Sequence, residues 1–189
     1  MSDTRGLLDT LRRVRNTREF TAEPVSDEAL GAILEIARRT GSAMNAQPWE
    51  FVVVRDPETL RAISQTGPNL PWVAGAPLAI VLVMAGRRPE LEGFDEGRLA
   101  ERIMEAAYAQ GLVAGLGWFL AGEPRWAAYG LLGVPEAKAM RTAIAIGHPA
   151  PDRSPAAPPA AAAAYHEGQR PPTARKPLAE LVHHDRYGG

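Results

Sequence analysis

Residues 41–54 read GSAMNAQPWEFVVV, and the fold is decided there. Phe51-Val52-Val53-Val54 is short, aromatic and β-branched, and Asp56-Pro57 ends it, which predicts a buried strand. The run before it, Gly41 to Trp49, sets small residues around two amides. Small residues allow close backbone approach, and Asn45 and Gln47 each offer a donor and an acceptor. Such a pair suits a heteroaromatic edge with alternating donors and acceptors. By itself it is more often a turn whose Asn and Gln satisfy nearby backbone groups. Trp49 is expected in the core.

Upstream, Leu30, Ile33, Leu34 and Ala37 form an i, i+3, i+4, i+7 stripe, which predicts a helix to about Arg39. Ser26 is placed to N-cap it, Asp27 and Glu28 suit its positive end, and Gly41 closes it. Leu7, Leu8, Leu11 and Val14 predict an earlier helix over 5–15. Downstream, Leu60 and Ile63 mark a short helix broken at Gly67-Pro68, and Leu78 to Met84 is a second continuous apolar strand. Gly86 to Gly93 reads as a charged loop, and residues 95–115 as a long helix with small residues on one face. Glu123 to Leu132 predicts a helix stopped by Gly133 and Pro135, and Thr142 to Ile146 a third strand. Residues 148–176 form a Pro/Ala-rich arm, with alanines at 160–164, after which Pro177 to Val182 returns as a short helix or strand. Strands interleaved with helices argue for an α+β or α/β core in a single domain over residues 1–189.

Composition removes several classes of chemistry. With 21 Lys+Arg against 22 Asp+Glu, the formal net charge of −1 creates no general field for nucleic acid or an acidic membrane. The absence of Cys removes disulfides, thiolate nucleophiles, iron–sulfur clusters and Cys-based zinc sites. The longest apolar run, Ala76 to Ala85, is half the ~20 residues a membrane helix needs, and the N-terminus lacks a signal-peptide core. A cytoplasmic protein without nucleic-acid or membrane partners is expected. His183-His184-Asp185 reads as a solvated tail, and no metal site is expected.

Arg12, Arg13, Arg15 and Arg18 crowd the end of the first helix. They read either as a basic helix end offsetting the dipole or as bidentate phosphate donors. A second basic pair, Arg175-Lys176, follows the arm, and the two clusters could converge on one phosphate.

Taken together, these segments resemble the nitroreductase family of FMN enzymes. Val14-Arg15-Asn16-Thr17-Arg18-Glu19-Phe20 with Pro24-Val25 is similar to its opening R-[RH]-S-x-[RK]-x-F-x-x-x-P-[VL] segment. Gly41 to Val54 resembles its P-S-x-x-N-x-Q-P-W-x-F-[VI]-V-V signature. Gly111 to Trp118, Leu131 to Glu136, Ala145 to Pro149 and Arg175 to Val182 resemble its later elements in the same order. Three positions depart from the pattern: Val14 replaces an Arg (Arg13 stands one position earlier), Asn16 a Ser, and Gly41 a Pro.

The resemblance implies an α+β, three-layer sandwich with a central, mostly antiparallel sheet wrapped by helices. It implies a homodimer whose C-terminal arm reaches over the partner and whose interface holds FMN. Arg15, Asn16, Arg18, Arg175 and Lys176 would then surround the FMN phosphate and ribityl chain. Ser42, Ala43, Asn45 and Gln47 would line the flavin from the other subunit, and the backbone at Leu116-Gly117 would approach flavin N5 and O4. The implied activity passes hydride from NADH or NADPH through flavin N5 to nitroaromatics, quinones or similar acceptors by a ping-pong course, with no side chain as catalytic acid or base. Two other readings stay open: a flavin-fragmenting or dehalogenating relative using reduced flavin and oxygen, and a non-catalytic flavin-binding protein. Trp72, Trp118, Phe119 and Trp126 are candidates for a substrate face, and residues 86–98 for a substrate lid.

Overall fold

The computed structural model describes residues 4–151 and 176–187. The expected arm falls almost wholly on residues 152–175, outside the described residues. The chain divides into two compact units, Met1–Ala156 and Ala157–Gly189. In the first, the elements in chain order are α1 (Thr4–Arg13), α2 (Asp27–Arg38), β1 (Trp49–Val54), α3 (Pro57–Gln65), β2 (Leu78–Met84), α4 (Pro89–Ala109), β3 (Val113–Trp118), α5 (Glu123–Leu132) and β4 (Ala139–Gly147). The described part of the second unit holds a single 3₁₀ turn, Leu178–Glu180.

All pairings in the sheet are antiparallel, in the order β1-β2-β4-β3. β2 is apolar throughout because it is covered on both faces. Leu78, Ile80 and Leu82 join one core with Ile33 and Ala37 of α2 and Leu99, Ile103 and Ala107 of α4. Ala79, Val81 and Val83 join the other with Leu60 and Ile63 of α3 and Ala128 and Tyr129 of α5. The result is the helix–sheet–helix sandwich, an α+β fold. Local signals place its helices well: the Ser26 hydroxyl accepts from the Ala29 amide 3.1 Å away, and Gly133 ends α5 at φ 64°.

The structure corrects four sequence-based expectations. β1 is an edge strand on which only Val54 is fully buried, because burial follows position in the sheet rather than composition. The long helix spans residues 89–109 rather than 95–115, and its expected last turns belong to a fourth strand, β3. β4 is longer than the Thr142–Ile146 core that marked it. The 86–98 segment is not a loop-type lid: α4 begins at Pro89, and Arg87 and Arg88 precede it on a fixed turn.

That turn is held by a buried carboxylate. Glu92, 3% exposed, accepts hydrogen bonds from the backbone N–H groups of Gly86 (2.8 Å), Arg87 (2.9 Å) and Arg88 (3.0 Å). Gly86 sits at φ 78°, with the Ala137 carbonyl oxygen 2.3 Å from where a Cβ would stand, so no other residue fits this turn without displacement. One helical turn on, Glu96 accepts from Arg141 Nε (2.8 Å) and from Thr142 Oγ1 (2.7 Å), which locks α4 across β4. Burial works to raise the Glu92 pKa, but the three amide donors and the Arg141 charge outweigh it, leaving the carboxyl below its ordinary value. A depressed folded-state pKa contributes stability above the unfolded value, and that stability is lost as pH falls through the folded one. Glu92→Gln should therefore lose about 1–3 kcal/mol of stability near neutral pH. In urea denaturation the gap between variant and parent should shrink once the pH drops below the ordinary carboxylate range.

Candidate functional site

The segment after α1 runs along the free edge of β3. Asn16 pairs with Ala114 in a parallel bridge, and the Thr17 N–H donates to the Ala114 carbonyl at 2.9 Å. The Asn16 Oδ1 accepts the outward-pointing Leu116 N–H at 2.7 Å. Beyond Arg18 the segment turns to the end of β4, where Phe20 bridges Pro149 and the Thr21 N–H donates to the His148 carbonyl at 3.0 Å. This approach depends on Gly115. A Cβ there would lie 2.1 Å from the Thr17 carbonyl oxygen and 2.8 Å from the Trp72 ring. At Gly117 a Cβ would lie 2.4 Å from Leu70. The two glycines of this strand thus mark contact with a neighbouring backbone and an indole.

The predicted residues Arg15, Asn16, Arg18, Leu116 and Gly117 therefore meet at one sheet edge. Arg15 is exposed, with its Nη1 donating to the carbonyls of Arg12 (2.6 Å) and Val14 (2.7 Å). Arg18 is half-buried, with its guanidinium carbon 5.6 Å from the centre of the Trp72 ring; burial lowers its pKa from the ordinary arginine value.

The remaining predicted residues lie elsewhere. Ser42, Ala43, Asn45 and Gln47 form a bend that feeds β1, at the opposite edge of the sheet, with two strands between (about 14 Å at ordinary strand spacing). Met44, Asn45 and Gln47 have φ of 55°, 54° and 45°, a left-handed backbone that side chains other than glycine adopt at a cost. The Ser42 hydroxyl accepts the Gln47 N–H at 2.9 Å and closes the bend, leaving the Asn45 and Gln47 side chains exposed. Between the bend and the start of α4 lies a cleft of about 310 Å³, lined by Ala43, Met44, Pro48, Leu91 and Asp95 among others. Lys176 is exposed in the second unit, and Arg175 lies outside the described residues.

Of the aromatic candidates, Trp118 and Trp126 are exposed, whereas Phe119 is fully buried and belongs to the core under α5. Trp72 is partly buried and packs against Arg18 and β3. The buried acids Glu92, Asp95 and Glu96 escaped the sequence reading, although their i, i+3, i+4 spacing on one helix face was the available signal. Among the described residues, no helix is long and apolar enough to cross a membrane, and no three potential ligands group to hold a metal.

The model of the nitroreductase family matches residues 11–66, which include both the Arg15–Arg18 segment and the bend. An Archaeoglobus fulgidus protein provisionally named NADH dehydrogenase/NAD(P)H nitroreductase is 31% identical over 140 residues, covering 71% of this chain and 80% of that protein. The chain belongs to the nitroreductase family. A Thermus thermophilus NADH dehydrogenase is 44% identical over 68 residues, covering 36% of this chain and only a third (33%) of that relative. Among solved structures, a Desulfovibrio desulfuricans protein crystallised in complex with FMN, provisionally described as a nitroreductase, is 28% identical with a TM-score of 0.74; the match covers 96% of this chain and 97% of that one.

The edge geometry of this nitroreductase-family chain is directly testable. Gly115→Ala should push the Thr17 backbone off β3 and cost about 1–3 kcal/mol in thermal or urea unfolding. An Ala substitution at Gly130, where a Cβ would meet nothing within 4 Å beyond its own stretch of helix, provides the comparison.

Proposed function

We propose that this chain is an FMN-dependent oxidoreductase that passes hydride from NADH or NADPH to a nitroaromatic, quinone or similar small acceptor, the two substrates using one site in turn. The observation that carries this reading is the guanidinium-bearing segment Arg15–Arg18, fixed along the Gly115-Leu116-Gly117 edge in a family whose members include NAD(P)H nitroreductases by name. The donor set fits FMN: cationic forks for a phosphate at one edge, and exposed amide side chains for a heteroaromatic ring at the bend.

Bound FMN supplies the two-electron chemistry, accepting and releasing hydride at N5. The chain supplies placement. Arg15 and Arg18 hold the phosphate. Asn16, whose Oδ1 is occupied by the Leu116 N–H, keeps its amide nitrogen for the ribityl hydroxyls and fixes how near a ring can come to Leu116 and Gly117. Ser42 shapes the bend so that Ala43, Asn45 and Gln47 line the ring. Cations and N–H donors around the nucleotide favour its anionic reduced form.

A homodimer completes the site. The bend and the arginine segment lie at opposite sheet edges of one chain, so the bend of a second copy serves the arginine segment of the first. Exposed Leu7, Leu8 and Leu11 on α1 supply apolar surface of the kind a partner covers.

The purified protein should be yellow, carry close to one FMN per chain, sediment at twice the chain mass, and bleach under anaerobic NADPH or NADH. A colourless protein indifferent to added FMN would overturn the proposal. Arg18→Ala should weaken FMN binding by about 1–3 kcal/mol, and an unchanged Kd would remove Arg18 from the site.

A further inference from the structure

We propose that Trp72 is a positioning residue for the phosphate end of the flavin nucleotide, acting by holding the Arg18 guanidinium against its ring. The inference rests on the FMN reading above and extends it to a residue outside the segments that suggested it.

The partly buried indole is held by contacts from several segments. Pro71 precedes it at the start of the 3₁₀ turn Pro71–Gly75, restricting the backbone there. The Trp72 Nε1–H donates to the Asn69 carbonyl at 2.9 Å, which orients the ring. The outer edge of its six-membered ring fills the space left by the missing side chain of Gly115, with ring atoms 2.8 and 3.0 Å from a built Cβ. A third ring atom lies 3.2 Å from a built Cβ at Gly117. Phe20 closes a further side, its ring centre 6.4 Å away. The Arg18 guanidinium carbon stands 5.6 Å from the centre of this ring, within cation–π range.

Arg18 is thereby held at both ends. Its backbone follows Thr17, whose N–H is bonded to β3 and whose carbonyl packs on Gly115. Its head leans on Trp72. A free arginine loses considerable rotamer freedom when it grips an anion, whereas one already oriented by the fold loses less, so affinity for the anion rises. The sequence pattern supports this arrangement, because two alternate glycines in β3 are what allow an indole to lie beneath the segment that carries Arg18.

A purely structural tryptophan would affect all ligands of the site alike, whereas a residue acting through Arg18 affects only those with a phosphate. The experiment titrates the apo-protein, in full length, with FMN and with riboflavin, which shares the ring and ribityl chain but lacks the phosphate. Trp72→Leu should raise the Kd for FMN by roughly three- to thirtyfold and leave that for riboflavin unchanged. Trp72→Phe, which keeps a smaller aromatic face, should fall between and serves alone if the Leu variant does not fold. In an Arg18→Ala background, the Trp72 substitution should add nothing further to the loss of FMN affinity. Equal weakening of FMN and riboflavin, no change in either, or additive effects of the two substitutions would overturn the proposal. If the parent protein binds FMN no better than riboflavin, the phosphate assignment of Arg18 fails and the Trp72 inference falls with it, whereas a parent that prefers FMN but is indifferent to the Trp72 substitutions overturns the Trp72 inference alone.

Discussion

A backbone carbonyl standing 2.1 Å from where the Cβ of residue 115 would lie is the constraint on which the arginine-bearing edge depends. A strand with ordinary side chains on both faces does not admit a neighbouring chain and an indole at that distance. β3 gives up strand propensity at Gly115 and Gly117, and each glycine in a strand interior costs on the order of 0.5–1 kcal/mol relative to alanine. What it gains is the Thr17–Ala114 and Asn16–Leu116 hydrogen bonds, which turn a loop after α1 into an extra element of the sheet. Arg15 and Arg18 flank those bonds in sequence, so their positions inherit the rigidity of the sheet rather than the freedom of a helix end.

The opposite end of the architecture is ordered by charge. Three acids on the inner face of α4 would be expensive to bury unless each were answered. Glu92 is met by three successive amides and Glu96 by Arg141 and Thr142. Asp95 faces Arg98 at 3.7 Å, and the Arg98 guanidinium also comes within 2.9 Å of the Cβ position at Gly41, where the bend begins. The glycine at 41, in place of the proline of the family pattern, thus leaves room for an arginine from α4. The amide donors that favour ionisation prevail over the burial that opposes it, and a turn carrying two exposed arginines stays fixed beside the left-handed bend.

What could be read from the chain alone follows the range of the interaction involved. The α2 stripe from Leu30 to Ala37, the Ser26 cap and the Gly133 stop are local and appear where the pattern put them. β3 was not legible, because Val-Ala-Gly-Leu-Gly-Trp has little intrinsic preference for a strand and becomes one only by pairing with β4. The reading of β1 as buried failed for the opposite reason: three valines describe strand propensity, while an edge or a central place is set by the whole sheet order. The start of α4 was hidden by the acids that hold it, since a polar inner face breaks the usual amphipathic rule. In the candidate site, only the arginine cluster at 15–18 was legible from residue types and spacing, and Leu116-Gly117 was reached through the family resemblance. The role of Trp72 was not, because it exists only where residues 18, 72 and 115, from three separate segments, come together.

The division of the candidate site between two sheet edges has a consequence for assembly. Both β1 and β3 are edge strands, and each carries one of the two donor sets: amides before β1, guanidiniums beside β3. On the proposed function the guanidiniums take the phosphate and the amides take the ring, from opposite edges of a sheet with two strands between them. On that reading a twofold axis would bring the bend of one copy to the arginine segment of the other, because an isologous contact repeats itself. Two equivalent sites would then follow from one interface. On the proposed function, the chain has divided a binding site for a long, amphiphilic nucleotide so that neither half is complete alone, and the affinity for FMN becomes coupled to the affinity of the two copies for each other.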